Sequence, residues 1–108
     1  MNQKIITLLE DYGLNTNEIK VYLYLVGENE LTAYSIAKNT KIHRSTCYDI
    51  LERLSGKGFV SKMEKDKKQF YSANELNKIV TGLKEQAETL KSLIPEMKLL
   101  EERQETKL

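Results

Sequence analysis

The sequence predicts an α+β fold that is mostly helical, and three observations support this class. Residues 43–57 carry apolar side chains at helical spacing and run into a glycine-rich stop. Two short runs with strand composition follow, at 59–63 and 69–72. From residue 75 onward, apolar side chains again recur at helical spacing, and no turn signal interrupts them. One small hairpin among several helices therefore accounts for most of the 108 residues.

The chain ahead of residues 43–57 predicts three further helices. Residues 3–12 have apolar positions in helical register, and Gly13 can end that helix. Residues 14–26 begin with polar side chains suited to N-capping and continue as a largely buried helix. Thr32 can cap the third helix. That helix extends to Asn39, with apolar contacts expected from Tyr34, Ile36 and Ala37.

A short turn, Thr40-Lys41-Ile42, joins the third helix to residues 43–57 and has the length found in a helix-turn-helix. Ile42 is expected to be buried in the angle between the two helices. The hairpin after them forms a wing with a charged tip at residues 64–68, and Leu31 can add a short third strand. These elements predict a winged helix-turn-helix with a long C-terminal helix.

Residues 75–108 predict a helix that needs a partner. Its apolar side chains alternate at spacings of four and three, the seam of a coiled coil: Leu76, Val80, Leu83, Ala87, Leu90, Ile94 and Met97. Such a stripe favours pairing with the same helix of a second subunit, so we expect a homodimer; packing against its own domain is the alternative. Pro95 predicts a kink or break near Leu93 and Ile94. We therefore expect a winged helix in residues 1–74 and a dimerisation helix in residues 75–108.

The net charge of +1 conceals an uneven distribution along the chain. Residues 1–40 hold three basic and five acidic side chains, a sum of −2. Residues 41–68 hold eight basic and four acidic side chains, a sum of +4. Residues 69–108 hold six basic and seven acidic side chains, a sum of −1. The positive charge therefore falls on the predicted second helix of the helix-turn-helix and on the wing. A local basic patch is typical of a phosphate-binding surface, although a solvated surface is the alternative.

This basic segment carries side chains suited to DNA. Arg44 can donate two hydrogen bonds to a guanine edge or clamp a phosphate, and the sequence leaves both roles open. We expect the helix at about 43–57 in the major groove and the wing at 60–72 on the DNA backbone. The candidate DNA-binding residues are His43, Arg44, Ser45, Thr46, Tyr48, Arg53, Lys57, Lys62, Lys65, Lys67 and Lys68. Tyr48 is equally compatible with a boundary position on the helix.

The remaining chemistry of the chain does not favour an enzyme. Asp49 and Glu52 have no nucleophile or metal partner, and their spacing from neighbouring arginines is one that stabilises helices. His43 and Cys47 could be two metal ligands on one turn, but Cys47 belongs to the apolar register. We expect no metal, cofactor or small-molecule ligand. The single cysteine, the lack of a signal peptide and the short apolar runs predict a cytoplasmic, nucleoid-associated protein without a membrane span.

The run from Leu14 to Ser72 resembles the N-terminal winged helix of the TrmB family of archaeal and bacterial transcriptional regulators. The most specific parts are GLNTNEIKVYLYLV, HRSTCYDILERLSGKGFV and the Phe70-Tyr71 pair after the wing tip. The resemblance implies that Arg44, Ser45, Thr46 and Tyr48 lie in the part that contacts DNA. Family members commonly have a proline in the place of His43. They also carry a downstream sugar-binding domain, so we expect a short stand-alone relative and transfer no sugar-responsive function.

The sequence therefore predicts a homodimeric, sequence-specific DNA-binding regulator of transcription. Two recognition helices about 34–36 Å apart would require a palindromic operator. The same fold is also compatible with a protein-interaction module, or with a chromatin-like protein that coats DNA without sequence preference. Affinity that falls steeply with salt would separate the DNA-binding functions from the protein-interaction module.

Overall fold

The computed structural model describes residues 2–105, which contain six helices and one antiparallel hairpin. The helices are α1 (Gln3–Asp11), α2 (Thr16–Val26), α3 (Ala33–Thr40), α4 (Arg44–Gly56), α5 (Leu76–Ser92) and α6 (Ile94–Glu105), and the strands are β1 (Val60–Lys65) and β2 (Lys68–Ala73). The chain forms two compact units that divide between Glu75 and Leu76. The predicted α+β class, mostly helical, is confirmed. The last residues of the predicted C-terminal helix, 106–108, lie outside the described residues.

Local capping explains where α2, α3 and α4 begin. In α2 the backbone N–H of Glu18 donates to the Asn15 side chain at 2.8 Å, and Glu18 Oε1 accepts from the Asn15 N–H at 2.8 Å. This reciprocal capping box satisfies two N–H groups that the helix itself leaves unpaired. Thr32 caps α3 through a hydrogen bond from the Ser35 N–H, as predicted. His43 caps α4 through its Nδ1, so that residue stands just outside the helix and fixes its start at Arg44.

The core of the first unit lies among α2, α3, α4 and the hairpin. Leu25, Ile36, Ile50, Leu51 and Leu54 are completely buried or nearly so. Ile42 is also buried, which confirms the prediction for the turn between α3 and α4. The rings of Tyr22 and Phe59 meet edge to face with their centroids 5.4 Å apart, a favoured arrangement for aromatic pairs. The helix-turn-helix is therefore held against one continuous apolar core.

Two residues that were expected to be buried are exposed. Tyr34 is 56% exposed, because the buried register of α3 runs through Ala33, Ile36, Ala37 and Thr40 and Tyr34 lies off it. Val26 is also 56% exposed at the last position of α2. The apolar contacts predicted for Tyr34 are therefore wrong.

The hairpin is tighter than the sequence predicted. Residues 64–68 were expected to form a charged tip, but β1 and β2 remain paired up to Lys65 and Lys68. Only Asp66 and Lys67 form the turn, and both have positive φ, 49° and 66°. Two consecutive left-handed residues match the twist of the flanking strands, so a two-residue connection suffices. Leu31 forms one antiparallel bridge with Tyr71, which confirms the predicted third strand at the scale of a single residue.

The second unit consists of α5 and α6, which are separated at Leu93. The predicted break near Leu93 and Ile94 is confirmed. Its cause is Pro95, which has no N–H to donate to the carbonyl of Lys91, whereas the Met97 N–H donates to Leu93 O at 3.0 Å. Of the predicted seam, Leu83 is half-buried and the others are exposed: Leu76, Val80, Ala87, Leu90, Ile94 and Met97. Ile79, outside the predicted seam, is buried.

Within residues 2–105, no helix has the length and apolar character needed to cross a membrane.

Candidate nucleic-acid interface

A cleft lies between the start of α4, the start of α3 and the tip of the hairpin. The αL conformation of Lys41, with φ 58°, reverses the chain after α3 and directs it into α4. The cleft encloses about 410 Å³. It is lined by Thr32, Ala33, Tyr34, Arg44, Tyr48, Lys67, Lys68, Gln69 and Tyr71. The fold thus brings together residues that are more than thirty positions apart in the sequence.

Arg44 is the cation on the helical side of this cleft. Its guanidinium carbon lies 5.6 Å from the ring centroid of Tyr34 and 6.0 Å from that of Tyr48. Both distances are within the range of cation–π attraction. No carboxylate among the described residues lies within 4.0 Å of the Arg44 nitrogens. Its hydrogen-bond donors therefore remain available to a ligand.

Lys67 and Lys68 are the cations on the hairpin side. Lys67 occupies the turn, and Lys68 is the first residue of β2. Both side chains are exposed, and within residues 2–105 neither has a carboxylate partner within 4.0 Å. Three positive charges without carboxylate partners therefore face one cleft, together with three aromatic rings, those of Tyr34, Tyr48 and Tyr71.

Arg53 and Lys57, two other predicted DNA-binding residues, are paired with Glu18 of α2. Arg53 Nε lies 2.9 Å from Glu18 Oε2, and Lys57 Nζ lies 3.8 Å from Glu18 Oε1. Lys57 also donates to the carbonyl of Gly13 at 3.3 Å. The Glu18 side chain is only 2% exposed, whereas those of Arg53 and Lys57 are 49% and 39% exposed. The ion pairs thus join the end of α4 to the beginning of α2.

The pKa of Glu18 lies below its ordinary value, which shows that the carboxylate is well stabilised. Burial is the largest influence and by itself raises the pKa. The hydrogen bonds from the Asn15 backbone and from Arg53, with the positive charge of Lys57, outweigh that effect. Glu18 is therefore ionised at neutral pH and holds both cations at the α2–α4 contact.

Lys62 and Lys65, on β1, are also paired with carboxylates. Lys62 Nζ lies 2.9 Å from Glu52, and Lys65 Nζ lies 2.8 Å from Glu30. The hydrogen bond to Glu52 raises the pKa of Lys62. These pairs lie at the surface, where an ion pair contributes little to stability.

The other predicted residues lie at the exposed start of α4. Ser45, Thr46 and Tyr48 are exposed, and His43 Nδ1 lies 3.0 Å from Ser45 Oγ. Cys47 lies on the opposite side of the helix, where it is fully buried and its Sγ is 3.9 Å from the carbonyl of Ala33. Burial raises the pKa of its thiol. His43 and Cys47 therefore do not point to one site, and no cluster of three metal-ligating side chains occurs within residues 2–105.

Sequence reasoning missed two residues of this region, Tyr34 and Glu18. Tyr34 could have been found, because it lies off the apolar register of its helix and an exposed aromatic ring often contacts a ligand. Glu18 could be found only in part, since its position three residues after Asn15 indicates a capping box. Its pairing with Arg53 joins residues 35 positions apart and leaves no local trace in the sequence.

A helix-turn-helix followed by a two-stranded wing, with cations at the start of the second helix and at the wing tip, defines the winged helix-turn-helix class of DNA-binding proteins. Residues 9–77 match the family described as "Sugar-specific transcriptional regulator TrmB". The chain belongs to this family of transcriptional regulators. The predicted resemblance is confirmed.

Individual relatives cover different shares of the chain. The chain is 35% identical over 60 residues to YrhO of Bacillus subtilis (strain 168), an uncharacterized protein. This stretch covers 56% of the chain but only 22% of YrhO. Its fold is similar to that of TrmBL2, described as an archaeal chromatin protein with a novel mode of DNA binding. The TM-score is 0.72 at 22% identity, over 94% of this chain and 39% of TrmBL2.

Other structures share the fold at lower identity. A MarR family transcriptional regulator from Silicibacter pomeroyi DSS matches with a TM-score of 0.59 and 18% identity, over 87% of this chain and 64% of its own. HlyU, a transcriptional regulator from Vibrio vulnificus CMCP6, matches with a TM-score of 0.56 and 17% identity, over 85% of this chain and 88% of HlyU. At these identities the comparison supports the fold alone.

Proposed function

We propose that the protein is a homodimeric regulator that recognises a specific DNA sequence through the start of α4 and the tip of the hairpin. The observation that carries the proposal is the contrast among the basic side chains. Arg53, Lys57, Lys62 and Lys65 have carboxylate partners, whereas Arg44, Lys67 and Lys68 have none among the described residues and line one cleft.

The proposed binding mode places the first turn of α4 in the major groove. B-DNA has a major groove about 12 Å wide, which admits an α-helix. The exposed side chains there are then close to base edges, with Arg44 at the centre and His43, Ser45, Thr46 and Tyr48 around it. Lys67 and Lys68 bind the neighbouring phosphates, which position the helix but carry no sequence information.

The proposed dimer uses the second unit. Large apolar side chains remain exposed along α5 and α6; Leu76 and Leu90, for example, are 69% and 68% exposed. A two-fold dimer would cover this stripe and present two copies of α4 to a palindromic operator, with half-sites about 34–36 Å apart.

Salt-dependent binding tests the DNA contacts. Fluorescence anisotropy would compare duplexes that the protein has selected from a randomised pool with scrambled duplexes of equal length, from low to high salt. The Arg44→Ala variant should lose selective binding. The Lys67→Ala/Lys68→Ala variant should lower the slope of log affinity against log salt by about 1.8 per subunit, since each phosphate contact contributes about 0.9.

The matched control for the wing is the Lys62→Ala/Lys65→Ala variant, which removes the same charge from the same hairpin. Its slope should fall less, because each of these lysines must first leave a carboxylate. Equal falls for the two double variants would contradict the assignment of the cleft. If no duplex binds at low salt, the protein-interaction module replaces the proposal.

A second candidate function is DNA coating without sequence preference. The observation that favours it is the similarity in fold to TrmBL2, which is described as a chromatin protein. Equal affinity for selected and scrambled duplexes, with the salt dependence retained, would establish this function instead of the regulator.

Sedimentation velocity tests the dimer. The protein should sediment at twice the chain mass of 12.5 kDa. Leu90→Glu should reduce this to the mass of one chain, because a buried carboxylate would have no partner in an apolar seam. Lys91→Glu, at the next and exposed position, is the matched control and should remain dimeric. A wild-type protein that sediments as a single chain would exclude the homodimer.

A further inference from the structure

We propose that Tyr34 is a positioning residue that determines specificity, because its ring holds the Arg44 guanidinium in the orientation that recognises one guanine. This inference rests on the proposed function, since it needs the start of α4 to contact DNA. It concerns a residue of the first helix of the helix-turn-helix, outside the predicted DNA-binding set.

The position of Tyr34 has no explanation in the packing of the fold. The buried side of α3 is formed by Ala33, Ile36, Ala37 and Thr40, and the Tyr34 ring lies away from it, 56% exposed. Its hydroxyl has no hydrogen-bond partner among residues 2–105. The interaction that remains is the contact of its ring with Arg44, at 5.6 Å from the ring centroid to the guanidinium carbon.

Arg44 is in range of two rings that belong to different helices. Tyr48 lies one turn further along α4, at 6.0 Å, whereas Tyr34 comes from α3. A free arginine at a helix start samples many rotamers, and two ring contacts restrict them. Tyr48 lies on the same helix as Arg44, so its ring can restrict the guanidinium only relative to α4. Tyr34 also restricts it relative to α3.

The ring contacts leave the N–H donors of the Arg44 guanidinium available to a ligand. When a guanidinium stacks on an aromatic ring, it uses the face of its planar group, and its N–H donors point outward in that plane. No carboxylate of the described residues lies within 4.0 Å to occupy those donors. A planar, pre-oriented fork of donors matches the O6 and N7 acceptors of guanine in the major groove. Of the two roles that the sequence left open for Arg44, the base contact is therefore favoured.

The experiment compares Tyr34→Leu with Tyr34→Phe, which keeps the ring and removes only the hydroxyl. Anisotropy would measure affinity for the selected duplex and for duplexes in which each guanine·cytosine pair of a half-site is replaced in turn. Wild type should discriminate by about 5- to 150-fold at the pair that Arg44 contacts. Tyr34→Leu should reduce that ratio to about 3-fold or less, while Tyr34→Phe should keep it. Neither variant should change the salt slope or the melting temperature, because the ring is exposed and contacts no phosphate.

Arg44→Ala, measured in parallel, separates this inference from the proposed function. Discrimination that Arg44→Ala abolishes and Tyr34→Leu leaves intact would overturn the role of Tyr34 while the DNA contact of α4 stands. Discrimination that Arg44→Ala leaves intact would overturn the proposed function itself. Equal loss in Tyr34→Leu and Tyr34→Phe would show that the hydroxyl acts and would also overturn the inference. A lower melting temperature for Tyr34→Leu alone would assign the residue to the fold instead.

Discussion

Replacing Glu18 tests whether the buried carboxylate joins α2 to α4. Glu18 makes two kinds of interaction: it completes the capping box with Asn15, and it pairs with Arg53 and Lys57. Two substitutions separate them. Glu18→Ala removes both interactions, whereas Glu18→Gln can still accept the Asn15 N–H, because glutamine also completes a capping box.

The size of each effect follows from the geometry. Loss of helix capping costs about 0.5–2 kcal/mol. A hydrogen bond to a charged group contributes about 1.5–3 kcal/mol, and the half-exposed Arg53 reduces this to about 1 kcal/mol. Glu18→Gln should therefore lower the free energy of unfolding by about 1 kcal/mol, and Glu18→Ala, which loses the cap as well, by about 1.5–3 kcal/mol. At about 4–8 °C per kcal/mol, the glutamine variant should melt about 5 °C below wild type.

The dependence on pH identifies the charge as the cause. The pKa of Glu18 is lower in the folded protein than its ordinary value of 4.5. Its contribution to stability is therefore fully present above that ordinary pKa and is lost as pH falls through the lower folded pKa. The difference in unfolding free energy between wild type and Glu18→Gln should be about 1 kcal/mol at pH 7 and should shrink below pH 4.5.

Urea unfolding followed by circular dichroism, at several pH values between 7 and 3, provides the measurement. Glu28→Gln is the matched control, since Glu28 is exposed and no ion pair is formed by it among the described residues. This variant should stay within about 0.5 kcal/mol of wild type. The reasoning is refuted if Glu18→Gln unfolds like the control at pH 7, or if its difference from wild type stays constant down to pH 3.

Three further predictions concern other parts of the chain. The thiol of Cys47 should react with Ellman's reagent only after denaturation, because it is buried and its pKa is raised; rapid reaction of the native protein would contradict this. Lys41→Gly should stabilise the protein by about 0.5–1 kcal/mol, because Lys41 has φ 58° and glycine removes that strain; calorimetry showing a lower melting temperature would contradict it. Pro95→Ala should increase the helical circular dichroism signal by joining α5 to α6, and an unchanged spectrum would show that Pro95 does not cause the break at Leu93.

The sequence predicted those parts of the fold that depend on neighbouring residues. The caps at Asn15 and Thr32, the break caused by Pro95 and the burial of Ile42 each follow from residues a few positions apart. The hairpin turn was harder, because Asp66 and Lys67 carry no glycine to indicate positive φ. Five consecutive charged residues resembled a solvated loop, although strand pairing continues through three of them.

The composition of the candidate site could be predicted only in part. Arg44, Lys67 and Lys68 were among the expected residues, and the fold places them along one cleft. Apolar contacts were expected from Tyr34, because an aromatic residue near other apolar residues usually packs against them. The partners of Arg53 and Lys65 are each 35 residues away in the chain, so no local pattern could indicate which cations have carboxylates.

The net charge of the basic segment therefore overstates the charge that DNA can meet. Residues 41–68 carry a net charge of +4. Three basic side chains of this segment, Arg53, Lys57 and Lys65, pair with Glu18 and Glu30, which lie outside it. A cation that holds a buried carboxylate serves the fold, and its loss should appear first in the free energy of unfolding. Under the proposed function, Arg44, Lys67 and Lys68 bind DNA, so the loss of any of them should appear in affinity and salt slope while the melting temperature stays unchanged. Measuring the free energy of unfolding and the DNA affinity of a variant at each basic residue would separate the cations that stabilise the fold from those that bind DNA. Affinity alone would not separate them, because an unfolded variant also fails to bind DNA.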